Sequence, residues 1–299
     1  MSAAPETARG GDGRALAAFC LCCAIWSSTF LVIRVGNDTL PPLWAASLRL
    51  ALAGTLLFAL TFATRSALPR GDALRAAALY GLLNFGLSFC LLYWGEVYVP
   101  SGITAVFYAT VPLTTALAAW ALRLESPSMR RLLAALVAIA GVGLLFSSEL
   151  GHAVPLAPLL GIVGAATSAS MSSVVLKLGP RQHPLGVNAV GALVGLPVCL
   201  AASFLAHEAH PLPTASAGLF PLLYLTLAGS LGAFMLFAWL VNRWPVTRLS
   251  FIAVVVPVVA TALGVIVRHE PVTPTGLAGS AIVLGGLVLG MTGGDRAAH

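Results

Sequence analysis

The chain has 299 residues, of which 59% are hydrophobic and only 9% are charged, and its formal net charge is +6. A soluble domain carries about 25% charged residues, which cover its surface. This composition therefore excludes an ordinary soluble protein and indicates that lipid is the main solvent of the chain.

Apolar runs of about 20 residues recur along the sequence, each long enough to cross ~30 Å of hydrocarbon. The polar tail over residues 1–13 lacks the apolar core and cleavage site of a signal peptide. The sequence predicts an all-α, polytopic membrane protein with ten transmembrane helices, at residues 14–34, 42–64, 73–94, 101–122, 130–148, 156–177, 184–206, 218–240, 249–267 and 275–292. Residues 293–299 form a second short tail.

Positive charges are distributed unevenly among the loops. With the N-terminus in the cytoplasm, the inside segments hold thirteen arginines and lysines, whereas the outside loops hold only Arg34 and Arg268. Because arginine and lysine mark cytoplasmic loops, both termini are predicted to be cytoplasmic. The same bias accounts for the net charge, so no nucleic-acid partner is predicted.

The two halves of the chain, residues 14–148 and 156–292, resemble each other at an offset of 145 positions. Arg123-Leu124-Glu125 falls on Arg268-His269-Glu270, and Gly141 falls on Gly286. Five helices per half is an odd number, so the second half enters the membrane from the opposite side. Inverted repeats of this kind are typical of secondary transporters, in which one half rocks against the other around a central site.

Four prolines follow the same repeat: Pro100 pairs with Pro245, and Pro112 pairs with Pro257. The first pair is expected at the starts of helices 4 and 9, where a missing N–H costs little. The second pair is expected in mid-helix, where the freed carbonyl needs another partner. We interpret these prolines as hinges of two gates; kinks that serve packing alone are the alternative.

Several segments resemble the drug/metabolite transporter superfamily, and within it the ten-helix EamA-type family. They are WSSTFLVIR in helix 1, AASLRLALAG at 45–54, ALVAIAGVGLLF at 135–146, and the spacing from Pro112 to Glu125 and from Pro257 to Glu270. The resemblance implies an exporter of small metabolites, often amino acids. It also implies a central cavity lined by helices 1–4 and 6–9, with helices 5 and 10 at the periphery.

The acidic residues give little support for catalysis. All ten are predicted in loops, tails or helix ends, which weakens proton coupling without excluding it through Glu96 or a histidine. The sequence contains no HExxH or GxSxG motif and no paired carboxylates. We therefore predict no enzyme activity, no catalytic residue, no metal site and no cofactor.

Arg49 is the one charged residue well inside a predicted span. A cavity-facing arginine would suit a substrate carboxylate, whereas an arginine near a helix end can also extend to the interface. Tyr80 and Asn84 share one helical face, and the buried amide is expected to point inward. Tyr93, with Trp94 and Tyr98, is expected in an interfacial belt. The predicted cavity residues are Trp26, Ser27, Arg49, Tyr80, Asn84, Tyr108, Met171, Ser172, Tyr224 and Phe234, with Met171 standing where the first half has Trp26.

These observations predict a carrier in the inner membrane that exports small amphipathic metabolites by alternating access, with aromatic amino acids favoured. A membrane enzyme of lipid metabolism and a channel or scaffold are the alternatives. Its predicted partners are a small-molecule substrate and membrane lipid. Gly191-x3-Gly195 and Gly286-x3-Gly290 are interpreted as packing motifs, and the chain as a monomer or a weak homodimer.

Overall fold

The computed structural model describes residues 7–99, 101–126, 128–148, 154–268 and 273–291, and these contain no β-strand. They form ten membrane helices, some of them segmented. The bounds are α1 Thr7–Asn37, α2 Pro42–Ala63, α3 Asp72–Tyr98, α4 Ser101–Tyr108 and Val111–Ala121, α5 Met129–Leu145, α6 Leu156–Leu178, α7 Pro184–Leu205, α8 Ser216–Val241, α9 Val246–Leu249 and Ile252–Arg268, and α10 Pro274–Met291.

Within the described residues, eight helices are long and apolar enough to cross a membrane. The shorter ones are α5, with 17 residues, and α9, whose apolar stretch is Val246–Ala262. Proline and capping residues mark several helix starts. Pro42 and Pro184 occupy the first turns of α2 and α7, where no backbone N–H donor is needed. The Ser128 hydroxyl caps α5 by accepting a bond from the Arg131 N–H.

Two helix pairs hold the halves together, α2 along α7 and α5 along α10. In the second pair, a Cβ on Gly279 would lie 2.7 Å from the Gly141 carbonyl oxygen, and a Cβ on Gly286 would lie 2.9 Å from the Ala134 carbonyl oxygen. Backbones this close tolerate only glycine. A Cβ on Gly290 would meet the Phe251 ring of α9, so both glycines of the α10 motif face this chain's own helices.

Both α3 and α8 contain a π-helical segment near their middle, at Leu82–Ser88 and Leu225–Ala233 respectively. The first packs on α7, where a Cβ on Gly195 would lie 2.5 Å from the Phe85 Cβ. The second packs on α2. The segments occupy corresponding places in the two halves, and such interruptions of α-helix often accompany functional sites.

The prolines of α4 and α9 are placed differently. Pro112 lies in the first turn of the second α4 segment, after a break at residues 109–110. It is thus not in mid-helix as expected, because the chain ends the first segment before the proline. Pro257 lies inside the second α9 segment, as expected, while Pro245 caps the first. Pro100 lies outside the described residues.

Candidate functional site

A central cavity of about 160 Å³ lies among α1, α2, α3, α4, α6, α8 and α9. Neither α5 nor α10 contributes a lining residue, as the resemblance implied, and α7 contributes none although the resemblance placed it at the cavity. The polar and aromatic residues of the wall are Trp26, Thr29, Arg49, Asn84, Ser88, Phe89, Tyr93, Tyr108, Ser172, Ser173, Phe234, Phe237 and Ser250.

Arg49 of α2 is the charged side chain of this wall, and only 3% of it is exposed. Its Nε donates a hydrogen bond of 2.8 Å to the Ser230 hydroxyl, and its Nη1 donates one of 3.1 Å to the Tyr93 hydroxyl. The guanidinium carbon also lies 4.7 Å from the centre of the Phe89 ring. The side chain is therefore held in a fixed position inside the bundle.

No carboxylate of the described residues forms an ion pair with Arg49. Its third nitrogen, Nη2, lies against Gly229 of α8, where a Cβ would come within 2.9 Å. A buried cation that has only neutral hydroxyls and a ring around it keeps most of its capacity to bind an anion. The wall thus carries one fixed, uncompensated positive charge.

Asn84 adds a second donor to the wall. Its Oδ1 accepts a bond of 3.4 Å from the Ser172 hydroxyl, but its Nδ2 is buried without a partner among the described residues. The nearby hydroxyls of Ser88, Ser173 and Ser250 each donate to a backbone carbonyl. Ser88 is also hydrogen-bonded to the Tyr108 side chain, whereas the oxygens of Ser173 and Ser250 remain available as acceptors. Donors and acceptors for both a carboxylate and an ammonium group are therefore present.

Aromatic rings form much of the remaining wall. The ring of Trp26 lies 5.2 Å from that of Phe234 and 5.5 Å from that of Phe237, measured between centroids. Phe234 in turn contacts Phe85 at 4.8 Å and Phe89 at 6.1 Å. These distances are those of favourable edge and offset contacts. The cluster joins α1, α3 and α8 and gives the cavity a flat apolar side.

Six of the ten predicted cavity residues line this cavity: Trp26, Arg49, Asn84, Tyr108, Ser172 and Phe234. The other four lie elsewhere. The Ser27 hydroxyl bonds the Cys23 carbonyl within α1, Tyr80 donates to Asn188 of α7 at 3.3 Å, and Tyr224 bonds Ser28 at 2.6 Å. Met171 is half-buried on α6 outside the lining set.

Tyr93 lies inside the bundle and not in an interfacial belt, which corrects the expectation. It is 1% exposed and accepts the Arg49 hydrogen bond. The π-helical segment before it explains the error, since it changes which face the following residues present. Phe89, Gly229 and Ser230 were also missed. Phe89 and Tyr93 follow Asn84 by five and nine residues. This spacing places them on the cavity side of α3 only when the π turn between them is taken into account.

A polar link outside the cavity joins the end of α4 to the start of α9. The carboxylate of Glu125 accepts bonds from the Val246 N–H at 2.8 Å and from the Thr247 hydroxyl, and it pairs with Arg131 at 3.0 Å. This arrangement supplies an acceptor to the free N–H groups of a helix start. The described residues contain no group of three or more metal-ligating side chains.

The geometry defines a class of protein: a polytopic helical bundle whose two halves enclose a polar and aromatic cavity. Comparison with known families is consistent with this class. The model of the EamA-like transporter family matches residues 13–147 and again residues 156–292. The chain belongs to this family, within the drug/metabolite transporter superfamily, and is a transmembrane transport protein.

Curated relatives carry transporter names. "Uncharacterized inner membrane transporter YedA" of Escherichia coli (strain K12) is 32% identical over 247 residues, which cover 80% of this chain and 78% of that protein. "Probable amino-acid metabolite efflux pump" of Salmonella typhimurium is 25% identical and covers 90% and 92%. "S-adenosylmethionine/S-adenosylhomocysteine transporter" of Chlamydia trachomatis is 28% identical and covers 89% and 84%.

A solved structure, titled "Crystal structure of protein", superposes with a TM-score of 0.77 at 18% identity and covers 93% of this chain and 96% of that one. This likeness concerns the fold. The family model also accounts for the repeat, because it matches the chain twice and the family is built from two sets of five helices.

Proposed function

We propose that the protein exports amino acids, aromatic ones above all, by alternating access of the central cavity to the two sides of the membrane. The observation that carries the proposal is Arg49, a buried guanidinium at the cavity wall without a carboxylate partner among the described residues. An internal anion would have neutralised it. A substrate carboxylate can do so during transport, with a bidentate bond that arginine forms particularly well.

The rest of the wall suits the remainder of an amino acid. Hydroxyl oxygens of Ser173 and Ser250 can accept bonds from an α-ammonium group. The face of a ring attracts the same cation, and the cluster around Trp26 and Phe234 offers an aromatic side chain edge and offset contacts. The Salmonella relative is likewise named as an amino-acid metabolite efflux pump.

The proposal includes the setting of the protein. It places the chain in the cell inner membrane with both termini in the cytoplasm, on the evidence of the positive charges in the loops. It treats residues 14–148 and 156–292 as the two moving halves and the chain as a working monomer without catalysis. The glycines of α10 support the monomer, since they are occupied by contacts with α5 and α9.

Counterflow in proteoliposomes tests the transport step without any knowledge of the coupling ion. Vesicles are preloaded with unlabelled phenylalanine, tryptophan or threonine, and uptake of the labelled compound is followed. We expect saturable uptake that related amino acids inhibit. A complete lack of exchange with every amino acid would contradict the proposal.

Arg49→Gln tests the role of the guanidinium. Hydrogen bonds to charged groups contribute about 1.5–3 kcal/mol, so the half-saturation concentration should rise roughly tenfold to a hundredfold. The sharper readout is discrimination: the wild type should prefer tryptophan to tryptamine, which lacks the carboxylate, and the variant should lose this preference. Arg75→Gln, on an exposed side chain near the start of α3, is the matched control.

S-adenosylmethionine is the second compound to test. It also carries a free carboxylate and ammonium group, and its adenine could stack on the aromatic cluster. A relative bears this compound in its name. If S-adenosylmethionine exchanged and amino acids did not, Arg49 would keep its proposed role in binding the substrate carboxylate, but the proposed substrate class would change.

A further inference from the structure

Glu96 of α3 is a buried carboxyl group close to the cavity. It lies one helical turn after Leu92 and Tyr93, which line the cavity, and therefore on the same face of the helix. Only 6% of the residue is exposed. Both Oε1 and Oε2 are buried without a hydrogen-bond partner among the described residues.

Two half-buried carboxylates of the described residues, by contrast, have several hydrogen-bond partners. Glu125 binds the start of α9 and Arg131, as described above. Glu208 accepts bonds from the N–H groups of Leu43 and Trp44 at the start of α2 and from the Ser203 hydroxyl. Both carboxylates are thus held by N–H and O–H donors, whereas Glu96 has no such donors among the described residues.

The charged and titratable groups around Glu96 come from several elements. Arg34 of α1 is exposed, makes no ion pair with Glu96, and acts on it only through its field. Tyr93 of the same helix and Tyr108 of α4 lie near the carboxyl group. On α2, Arg49 is engaged with the Tyr93 hydroxyl.

Among the residues that the structure describes, the remaining neighbours of this half of α3 form no ion pair with Glu96. The single charged side chain of α6 is Lys177, at the opposite end of that helix, where it donates to the carbonyls of Val241 and Trp244. From α7 comes Cys199, whose sulfur contacts that of Cys90 at 3.4 Å. Tight packing seals the region: a Cβ on Gly95 would lie 2.5 Å from the Ile162 Cδ1.

An ionised carboxylate in this position would lack both water and a partner, at a cost of several kcal/mol. A protonated carboxyl group avoids that cost. An ionisable residue kept inside a transmembrane helix in spite of such a cost is typical of proton pathways in transporters. We propose that Glu96 is a proton-binding site that couples substrate export to proton entry. This inference rests on the proposed transport function.

In the proposed cycle, the carboxylate takes up a proton from water when the α3 end that carries Glu96 is hydrated, forming the O–H bond of the acid. The neutral acid is then sealed inside the bundle, which is the arrangement seen here. When the halves rock, the acid returns the proton to water on the other side, and the substrate moves in the opposite direction. Each cycle exchanges one proton for one substrate, with no other reactant.

The experiment uses proteoliposomes that contain the full-length protein and a trapped pH-sensitive dye, with no initial pH gradient. An amino acid that shows counterflow in the wild type is added outside. Entry of the substrate should drive protons out, so that the interior becomes alkaline. In Glu96→Gln this pH change should be lost, while counterflow persists, because counterflow uses only the substrate-loaded crossings and needs no return of a protonated Glu96.

Asp72→Asn is the matched control, because Asp72 is an exposed carboxylate on the same helix, paired with Arg75 at 3.0 Å. It should keep the substrate-driven pH change. The proposal is overturned if Glu96→Gln moves protons like the wild type, or if the wild type exchanges substrate without moving protons. In the second case the proposed transport function still stands.

If no amino acid exchanges, the proposed function fails, and an infrared measurement without substrate decides about Glu96. The wild type should show the band of a protonated, buried carboxyl group at neutral pH that is missing from Glu96→Gln and present in Asp72→Asn. Absence of this band from the wild type would overturn the proton site.

Discussion

The helices α4 and α9 carry prolines at matching positions of the repeat but are broken at different places. In α4 the break at residues 109–110 precedes Pro112, so this proline stands where a helix needs no N–H. In α9 the break at Ser250 and Phe251 comes earlier, and Pro257 lies within the helix that follows. The repeated residue fixes where a donor is missing, but its surroundings determine where the helix breaks.

The neighbours of each break differ accordingly. The short first segment of α9 is held by Glu125 through the Val246 N–H and the Thr247 hydroxyl. The local bond is the same at both breaks: the Thr110 hydroxyl donates to the Phe107 carbonyl at 2.6 Å in α4, and the Ser250 hydroxyl donates to the Thr247 carbonyl at 2.8 Å in α9. Moreover, Pro257 cannot donate to the carbonyl of Ala253, and both residues line the cavity. The missing bond of α9 therefore lies at the site, whereas in α4 Tyr108 lines the cavity but Pro112 does not.

Among substitutions that test the difference between α4 and α9, we expect the largest effect from Glu125→Gln, which weakens the bonds that hold the start of α9. The glutamine can still accept one bond from the start of α9, but it loses the ion pair with Arg131 and one acceptor. With side chains only 12% and 15% exposed, we expect a loss of about 2 kcal/mol in the free energy of unfolding. Thermal unfolding in detergent measures it.

Asp72→Asn serves again as the control, because its ion pair with Arg75 is exposed and contributes little. Equal unfolding temperatures for wild type and Glu125→Gln would mean that the link to α9 does not stabilise the fold. The difference between α4 and α9 would then need another cause.

Pro257→Ala should have the next largest effect, on transport instead of stability. The alanine restores a helical N–H for the Ala253 carbonyl, and one net hydrogen bond of about 0.5–1.5 kcal/mol shifts a two-state equilibrium roughly twofold to twelvefold. A stiffer α9 should slow counterflow by a similar factor. Counterflow at saturating substrate, normalised to the amount of protein, is the readout.

Pro112→Ala should have the smallest effect. The proline occupies a first turn where the alanine N–H would find no helical acceptor, so we expect counterflow within roughly twofold of the wild type. The double variant should then behave like Pro257→Ala alone. A stronger defect in Pro112→Ala than in Pro257→Ala would reverse the assignment of the hinge, and unchanged transport in the double variant would remove the hinge hypothesis.

Much of the fold could be predicted from sequence because hydrophobic length, loop charge and the repeat are read directly from the residues. The ten helices and the contribution of Arg49 and Asn84 to the cavity belong to this part. The face of a residue beyond an irregular turn could not be predicted. Tyr93 and Glu96 follow the π-helical segment of α3, and both were assigned to surroundings more polar than those they have.

The sequence also could not predict which side chains form hydrogen bonds between neighbouring helices. Tyr80 and Tyr224 are of a residue type that often lines polar cavities. In the structure, however, each forms a hydrogen bond with a neighbouring helix, Tyr80 with Asn188 and Tyr224 with Ser28. Ser230 and Gly229 gave no signal of their own, because a small residue in an apolar helix is usually a packing residue. Their importance comes from the guanidinium that they contact.

The π-helical segment at Leu82–Ser88 has a consequence for insertions and deletions in this chain. A π turn absorbs an additional residue while the flanking α-helical stretches keep their orientation. If the same residues formed an unbroken α-helix, the following stretch would be turned by about 100° around the axis, and Tyr93 would leave Arg49. The loss of one residue within 82–88 should therefore be tolerated far better than the loss of one within 89–98, so this segment marks a place where the length of α3 can drift during evolution.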